Sequence, residues 1–179
     1  MVDWSLAACR SVTDGVVLVV PYDHDAPEEA DVVVNGGATR SDSVRAGLAA
    51  VPDDAEVIVV HDAARPFAPA ALFEAVVAAI RNGADGAVPG VAVTDTIKQV
   101  AGGQVVATLD RDSLVAVQTP QAFSAQALRR AHAGGAEASD DAALVEAAGG
   151  RVVVVPGDPA NTKITLRTDL GSSEQRSAL

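Results

Sequence analysis

The sequence predicts a layered α/β domain on a mostly parallel sheet, and three observations carry that reading. Short apolar runs without polar interruption, such as Val16-Val17-Leu18-Val19-Val20, belong in sheets covered on both faces, which are usually parallel. These runs alternate with segments of helical period. The strand ending in Ile58-Val59-Val60 leads directly into His61-Asp62-Ala63-Ala64-Arg65-Pro66, so an acid and a guanidinium lie where an apolar strand stops. In open α/β sheets that edge is where ligands bind.

The elements follow in order. Residues 3–11 read as a helix on which Trp4, Ala7, Ala8 and Cys9 could share a face. A strand over 16–20 is stopped by Pro21, and strands follow over 31–35 and 56–60. Between these, Ser41 or Asp42 is expected to cap a helix running to about Val51, with Val44, Leu48 and Val51 inward. Pro69 can open a helix that turns Leu72, Phe73, Val76, Val77 and Ile80 inward and ends at Asn82-Gly83. Residues 86–93 are again strand-like. The alternation then breaks: residues 96–100 and 104–108 flank Ala101-Gly102-Gly103, the signature of a β-hairpin. An isolated hairpin buries too little to stand alone in water, so a protruding arm over about 94–110 must lie on the body or on a partner. A strand over 115–118 precedes Thr119-Pro120-Gln121, and a helix over 124–133 follows. Ser139 reads as the cap of another, with Asp140 and Asp141 in a first turn whose dipole favours anions. Residues 151–155 form a strand, 161–165 a short extended piece, and Thr168-Asp169-Leu170 begins a last helix. Residues 1–170 form one domain, and 171–179 are a polar tail that frays.

Composition bounds the setting. The chain has 179 residues, 49% hydrophobic and 21% charged, enough for one globular core. A formal charge of −11 argues against nucleic acid and anionic membranes as partners, and no apolar run reaches the length of a membrane span. The single cysteine, Cys9, cannot form an internal disulfide and reads as a buried, inert thiol. The expected location is the cytoplasm. The thirteen basic residues include only two lysines, Lys98 and Lys163, so each is a candidate for a specific place; depletion of lysine by coding bias explains them equally well.

In the 61–66 loop, Asp62 suits a cation or a hydroxyl, and Arg65 offers a planar donor fork for phosphate. Taken by itself, D-x-x-R also reads as an ion pair closing a surface loop.

Six segments in one order extend this reading. Gly36-Gly37-Ala38-Thr39-Arg40-Ser41-Asp42-Ser43-Val44, the H-D-A-A-R-P loop, Asp95-Thr96-Ile97-Lys98, Asp110-Arg111, Thr119-Pro120-Gln121-Ala122-Phe123 and Asn161-Thr162-Lys163-Ile164-Thr165 span most of the chain. Together they resemble the cytidylyltransferases that make 4-diphosphocytidyl-2-C-methylerythritol in the non-mevalonate isoprenoid pathway. The resemblance implies a Rossmann-like nucleotidyltransferase sheet and transfer of a cytidylyl group from CTP to 2-C-methyl-D-erythritol 4-phosphate, with Mg²⁺ as cofactor and pyrophosphate leaving. It implies that Gly36, Gly37 and Ser43 hold the nucleotide. Asp62 is implied near the metal and the reacting phosphates. Arg65, Thr96, Arg111, Thr119 and Lys163 would surround the sugar phosphate, with Asp62 and Lys163 as the catalytic pair. Arg111 would come from the other subunit of a homodimer, carried there by the hairpin arm.

The family also begins with a strand and a glycine-rich loop, A-A-G-x-G-x-R, followed by P-K-Q, ahead of its first long helix. This sequence opens in that helix, so the resemblance implies an N-terminal strand and loop missing, and weak turnover by the chain alone. A non-catalytic binding or dimer-partner remnant of the family, and a ribitol-5-phosphate cytidylyltransferase, are the alternatives.

Overall fold

A computed structural model describes residues 2–22 and 30–165. The final helix expected from Thr168 and the polar tail lie outside the described residues. Helix α1 (Val2–Arg10) leads to β1 (Val17–Val20), which pairs in parallel with β2 (Val32–Asn35). Helix α2 (Arg40–Ala50), strand β3 (Val57–Val60), helix α3 (Ala70–Arg81) and strand β4 (Gly86–Ala92) follow. A hairpin of β5 (Lys98–Ala101) and β6 (Gln104–Thr108) forms a two-stranded sheet of its own. A 3₁₀ turn (Arg111–Ser113), β7 (Val115–Val117), β8 (Gln121–Ser124), α4 (Ala125–His132), α5 (Asp141–Ala147) and β9 (Val152–Pro156) complete the order.

The main sheet corrects the expectation of a mostly parallel one. Its path is β3-β8-β4-β7, every step antiparallel, and only β9 joins β4 in parallel. Strands β3 and β4 do run the same way, as the alternation with helices requires. The reversal comes from β8, a short strand that the sequence reading absorbed into the T-P-Q-A-F segment. It inserts between β3 and β4, pairing Ile58 with Phe123 on one side and Ala87 with Ala122 on the other.

Two apolar clusters cover the sheet. On one face α2, α4 and α5 pack Leu48, Leu128 and Val145 against Ile58, Val88 and Phe123. On the other, α3 sets Val76 and Ile80 against Ala87 and Ala122, with Val57 and Val59 beside them. Gly86 leaves room for its neighbours on the sheet: a Cβ there would meet its cross-strand partner Phe123 at 3.0 Å. α1 buries Ser5 and Leu6 and leaves Trp4 59% exposed against Phe67, so its inner face is not the one expected. Cys9 is partly buried, and burial pushes its thiol up to about 11, consistent with an inert group.

Helix starts also shift. Thr39, not Ser41 or Asp42, caps α2: its hydroxyl accepts from the Asp42 N–H at 3.0 Å, while the Asp42 carboxylate accepts from the Thr39 N–H at 3.3 Å. Asp140, not Ser139, caps α5. No helix among the described residues is long and apolar enough to cross a membrane.

The described strands outside the hairpin fall into two separate sheets. Among the described residues β1 pairs only with β2, and β3 only with β8. A cavity of about 1390 Å³ is lined by both valine-rich strands, and by Leu6 of α1 and Leu48 of α2.

Candidate active site

The site gathers at the carboxyl end of β3. Lys163 donates from Nζ to Asp62 Oδ2 at 2.7 Å, joining residues 101 positions apart in the chain. Of the two lysines, this one reaches the loop at the strand end. Lys98 donates to Thr108 Oγ1 at 2.7 Å across the hairpin, a cross-strand contact.

The loop around Asp62 is held from below by neutral groups. Thr119 Oγ1 accepts the Asp62 backbone N–H at 3.0 Å and lies 3.2 Å from His61 Nδ1, while His61 Nε2 lies 3.1 Å from the Arg65 carbonyl oxygen. A carbonyl can only accept, so Nε2 carries the proton and Nδ1 accepts from the Thr119 hydroxyl. Burial holds the His61 imidazole down at about 4, so it is neutral near pH 7. His61 is therefore a strut, and the Thr119 hydroxyl is committed within the loop.

Arg65 donates from Nη1 to the Asn161 carbonyl at 2.8 Å, and its Nε is buried with no partner among the described residues. Burial lowers its pKa, against the opposing pull of the Asp62 charge. Asn161 is fully buried and donates from Nδ2 to the Thr119 carbonyl at 2.9 Å. Gln118 Nε2 donates to the Asp158 carbonyl at 2.8 Å, and the Ile164 N–H donates to the Ala64 carbonyl at 2.8 Å. These bonds fasten 158–164 across the strand end and deliver Lys163 to Asp62. Gln118 and Asn161 were missed as site-building residues, although both belong to or flank segments that the sequence had singled out.

The second half of the site is the turn after β2. The Gly37 N–H donates to Ser43 Oγ at 3.1 Å, and that hydroxyl donates to the Thr39 carbonyl at 2.9 Å. A Cβ on Gly37 would lie 2.2 Å from Asp42 Cβ, and one on Gly36 2.7 Å from Ser43 Oγ, so neither position admits a side chain without rearrangement. Gly36, Gly37, Ser43 and Asp62 line the same large cavity.

Thr96 and Arg111 flank the hairpin. Thr96 is exposed on the segment entering β5. Arg111 bonds to the Thr94 carbonyl and lies 4.0 Å from Asp112, at the base of the hairpin. Neither of these contacts reaches Asp62 or Lys163.

Asp62 belongs to no ready-made metal cage, since no group of three or more His, Cys, Asp or Glu side chains gathers among the described residues. A site without such a cage fits an ion that arrives on substrate phosphates, the usual habit of Mg²⁺. Charged side chains, a guanidinium fork and a glycine turn around one strand end can bind a phosphorylated nucleotide and a second phosphate.

Comparison with known proteins agrees with this chemistry. The 2-C-methyl-D-erythritol 4-phosphate cytidylyltransferase of Nocardia farcinica is 48% identical over 181 residues, covering 97% of this chain and 77% of that one. The bifunctional enzyme IspD/IspF of Clavibacter michiganensis is 48% identical over 174 residues, covering 89% of this chain and 42% of the relative. The chain thus spans less than half the length of the bifunctional relatives it matches. The crystal structure of 2-C-methyl-D-erythritol 4-phosphate cytidylyltransferase from Thermus thermophilus superimposes with a TM-score of 0.88 at 37% identity, covering 99% of this chain and 88% of that one. The family model for IspD, 2-C-methyl-D-erythritol 4-phosphate cytidylyltransferase, matches residues 1–176, and the chain belongs to that family.

Proposed function

We propose that the chain provides the sugar-phosphate half, and part of the nucleotide half, of a cytidylyltransferase acting on CTP and 2-C-methyl-D-erythritol 4-phosphate. The observation that carries this is the Lys163–Asp62 pair at 2.7 Å with Arg65 fastened beside it, at the strand end that also faces the glycine turn. In the reaction a phosphate oxygen of methylerythritol phosphate attacks the α-phosphorus of CTP. The new P–O bond forms as the bond to the bridging oxygen breaks, and pyrophosphate leaves with that electron pair. Two anions must approach in line, so fixed cations and positioning do most of the work.

Lys163 and Arg65 draw in the sugar phosphate. Asp62 orients Lys163 and stands ready to hold a substrate hydroxyl or a nucleotide-borne Mg²⁺, which when bound withdraws charge from the phosphates. Thr119 and His61 fix the Asp62 backbone, and Gly36, Gly37 and Ser43 shape the turn against which base and ribose rest. Thr96 and Arg111 serve a neighbouring subunit, reaching it on the hairpin; the contacts of Arg111 with Thr94 and Asp112, rather than with the Asp62–Lys163 pair, favour that reading. The cavity between β1 and β3 supports the further reading that a strand carrying a glycine-rich loop packs there. Methylerythritol rather than ribitol phosphate is the acceptor, in keeping with the names of the relatives, and we place the reaction in the cytoplasm.

The test is calorimetric titration with methylerythritol 4-phosphate. Lys163→Ala should weaken binding about ten- to a hundredfold, the usual scale for a hydrogen bond to a charged group, while Arg151→Ala, remote from the site, leaves it unchanged. Equal affinity in the Lys163 variant would remove Lys163 from the site.

A further inference from the structure

Arg40 follows the glycine turn as the first residue of α2, and its partner lies 101 positions on in the chain. Its Nη2 donates at 2.7 Å to Oδ2 of Asp141, which is fully buried, while its own side chain remains 37% exposed. The other carboxylate oxygen, Oδ1, accepts from Nε2 of His132 at 2.9 Å, and the His132 side chain is only 3% exposed. The sequence reading took Asp141 for a dipole-complementing residue in a first helical turn. In the structure that acid does lie in the first turn of α5, and its side chain also reaches across to α2.

Burial opposes ionisation of Asp141, but the bonds from His132 and Arg40 outweigh it and hold the carboxyl below its ordinary value. A buried carboxylate is a costly way to join two helices, since apolar residues of similar volume usually do so at least as well. What it does achieve is to fix the direction of a guanidinium. Arg40 has one nitrogen tied to Asp141, and no other hydrogen bond of its side chain occurs among the described residues. It lines the same cavity as Gly36, Gly37 and Asp62, and the Asp62 charge acts on it. A half-exposed fork fixed from behind, beside a backbone turn that excludes side chains, suits a phosphate.

We propose that Arg40 is a phosphate-binding residue of the nucleotide site, and that the buried Asp141, braced by His132, is the positioning residue that aims it. This rests on the functional reading above, because it takes the ligand to be a nucleoside triphosphate. Asp141 touches no ligand and acts only through Arg40.

The experiment is a double-mutant cycle read by calorimetry, with CTP in the presence of Mg²⁺ and with cytidine as a probe that lacks phosphates. Arg40→Gln should weaken CTP about ten- to a hundredfold and leave cytidine unchanged. Asp141→Asn should weaken CTP by several-fold, again sparing cytidine, and the double variant should bind CTP no more weakly than Arg40→Gln alone. If Asp141→Asn does not fold, His132→Gln takes its place, since it keeps the carboxylate and removes its brace; a selective loss for CTP is expected there too. Equal CTP affinity in a folded Arg40→Gln chain, parallel losses for CTP and cytidine, or additive effects in the double variant would overturn the proposal while leaving the functional reading standing. A parent chain that binds neither probe would overturn both.

Discussion

At the scale of single residues, His61 shows how a loop can depend on a group whose ring nitrogens are both engaged by the protein itself. Its imidazole is wedged between the Thr119 hydroxyl and the Arg65 carbonyl, with the Phe73 ring 5.1 Å away, and burial holds it down at about 4. An unfolded chain takes up that proton near 6.5. Between these values the unfolded state binds more protons than the native one, so stability must fall as pH falls from about 6.5 to about 4, and His61 contributes no slope above that window. At a pH of about 4.5 the loss relative to about 7.5 should be about 2–3 kcal/mol from this residue. Urea midpoints of the parent and of His61→Gln at the two pH values measure it. The carboxylates titrate in both proteins, so the difference between their slopes isolates the imidazole, and identical slopes would show that His61 is not buried neutral.

At the scale of elements, legibility in the sequence followed the strength of the local signal. β1, β3 and α3 are runs of one period, and their positions agree with the reading to within a residue or so at each end. The hairpin turn was legible because two adjacent glycines are required: Gly102 and Gly103 have φ of +56° and +78°. β8 was not legible, because Gln-Ala-Phe-Ser has no β-branched residue and its strand character comes from two neighbours distant in sequence. The cap of α2 was placed late because Thr39, Ser41 and Asp42 are all good caps, and only the reciprocal Thr39–Asp42 bonds choose among them. In the site, the Asp62 and Lys163 positions were readable from motifs, whereas the roles of Asn161, Gln118 and the Asp141–Arg40 bridge depend on long-range packing. The cavity between β1 and β3 gives this scale its own test. A fused segment of about five apolar residues leading into a glycine-rich loop, placed ahead of α1, should pair with the two open edges, since both walls of the cavity are apolar. The fused chain should melt several degrees higher than the parent and release pyrophosphate from CTP and methylerythritol 4-phosphate faster, by about a hundredfold or more if the loop restores even one fixed donor. An unchanged melting temperature would mean that the segment does not enter the layer.

At the scale of the whole molecule, the chain leaves its apolar surface unevenly covered. Val100, Val105 and Val106 on the hairpin are 57%, 61% and 57% exposed, and Leu109, Val115 and Val117 continue the exposed apolar residues into β7. β7 pairs with β4 alone among the described residues. The two short strands of the hairpin have no other described sheet to lean on. Exposed valines next to an open strand edge are a liability in a monomer and an asset in a symmetric pair, where the same patch meets itself. The same pairing would carry Arg111, which bonds near the hairpin base in its own chain, toward a neighbour's Asp62 and Lys163. The chain should therefore be a dimer at tens of micromolar by light scattering, an order of concentration at which an interface of standard size persists. Val105→Glu with Val106→Lys should give a folded monomer, because charges at the centre of an apolar contact cannot be desolvated cheaply. If Arg111 acts across the interface, that monomer should also bind methylerythritol 4-phosphate more weakly than the parent, although neither substitution lies in the site. A parent that is monomeric, or a monomeric variant with undiminished affinity, would return the hairpin to a surface ornament of one self-sufficient chain.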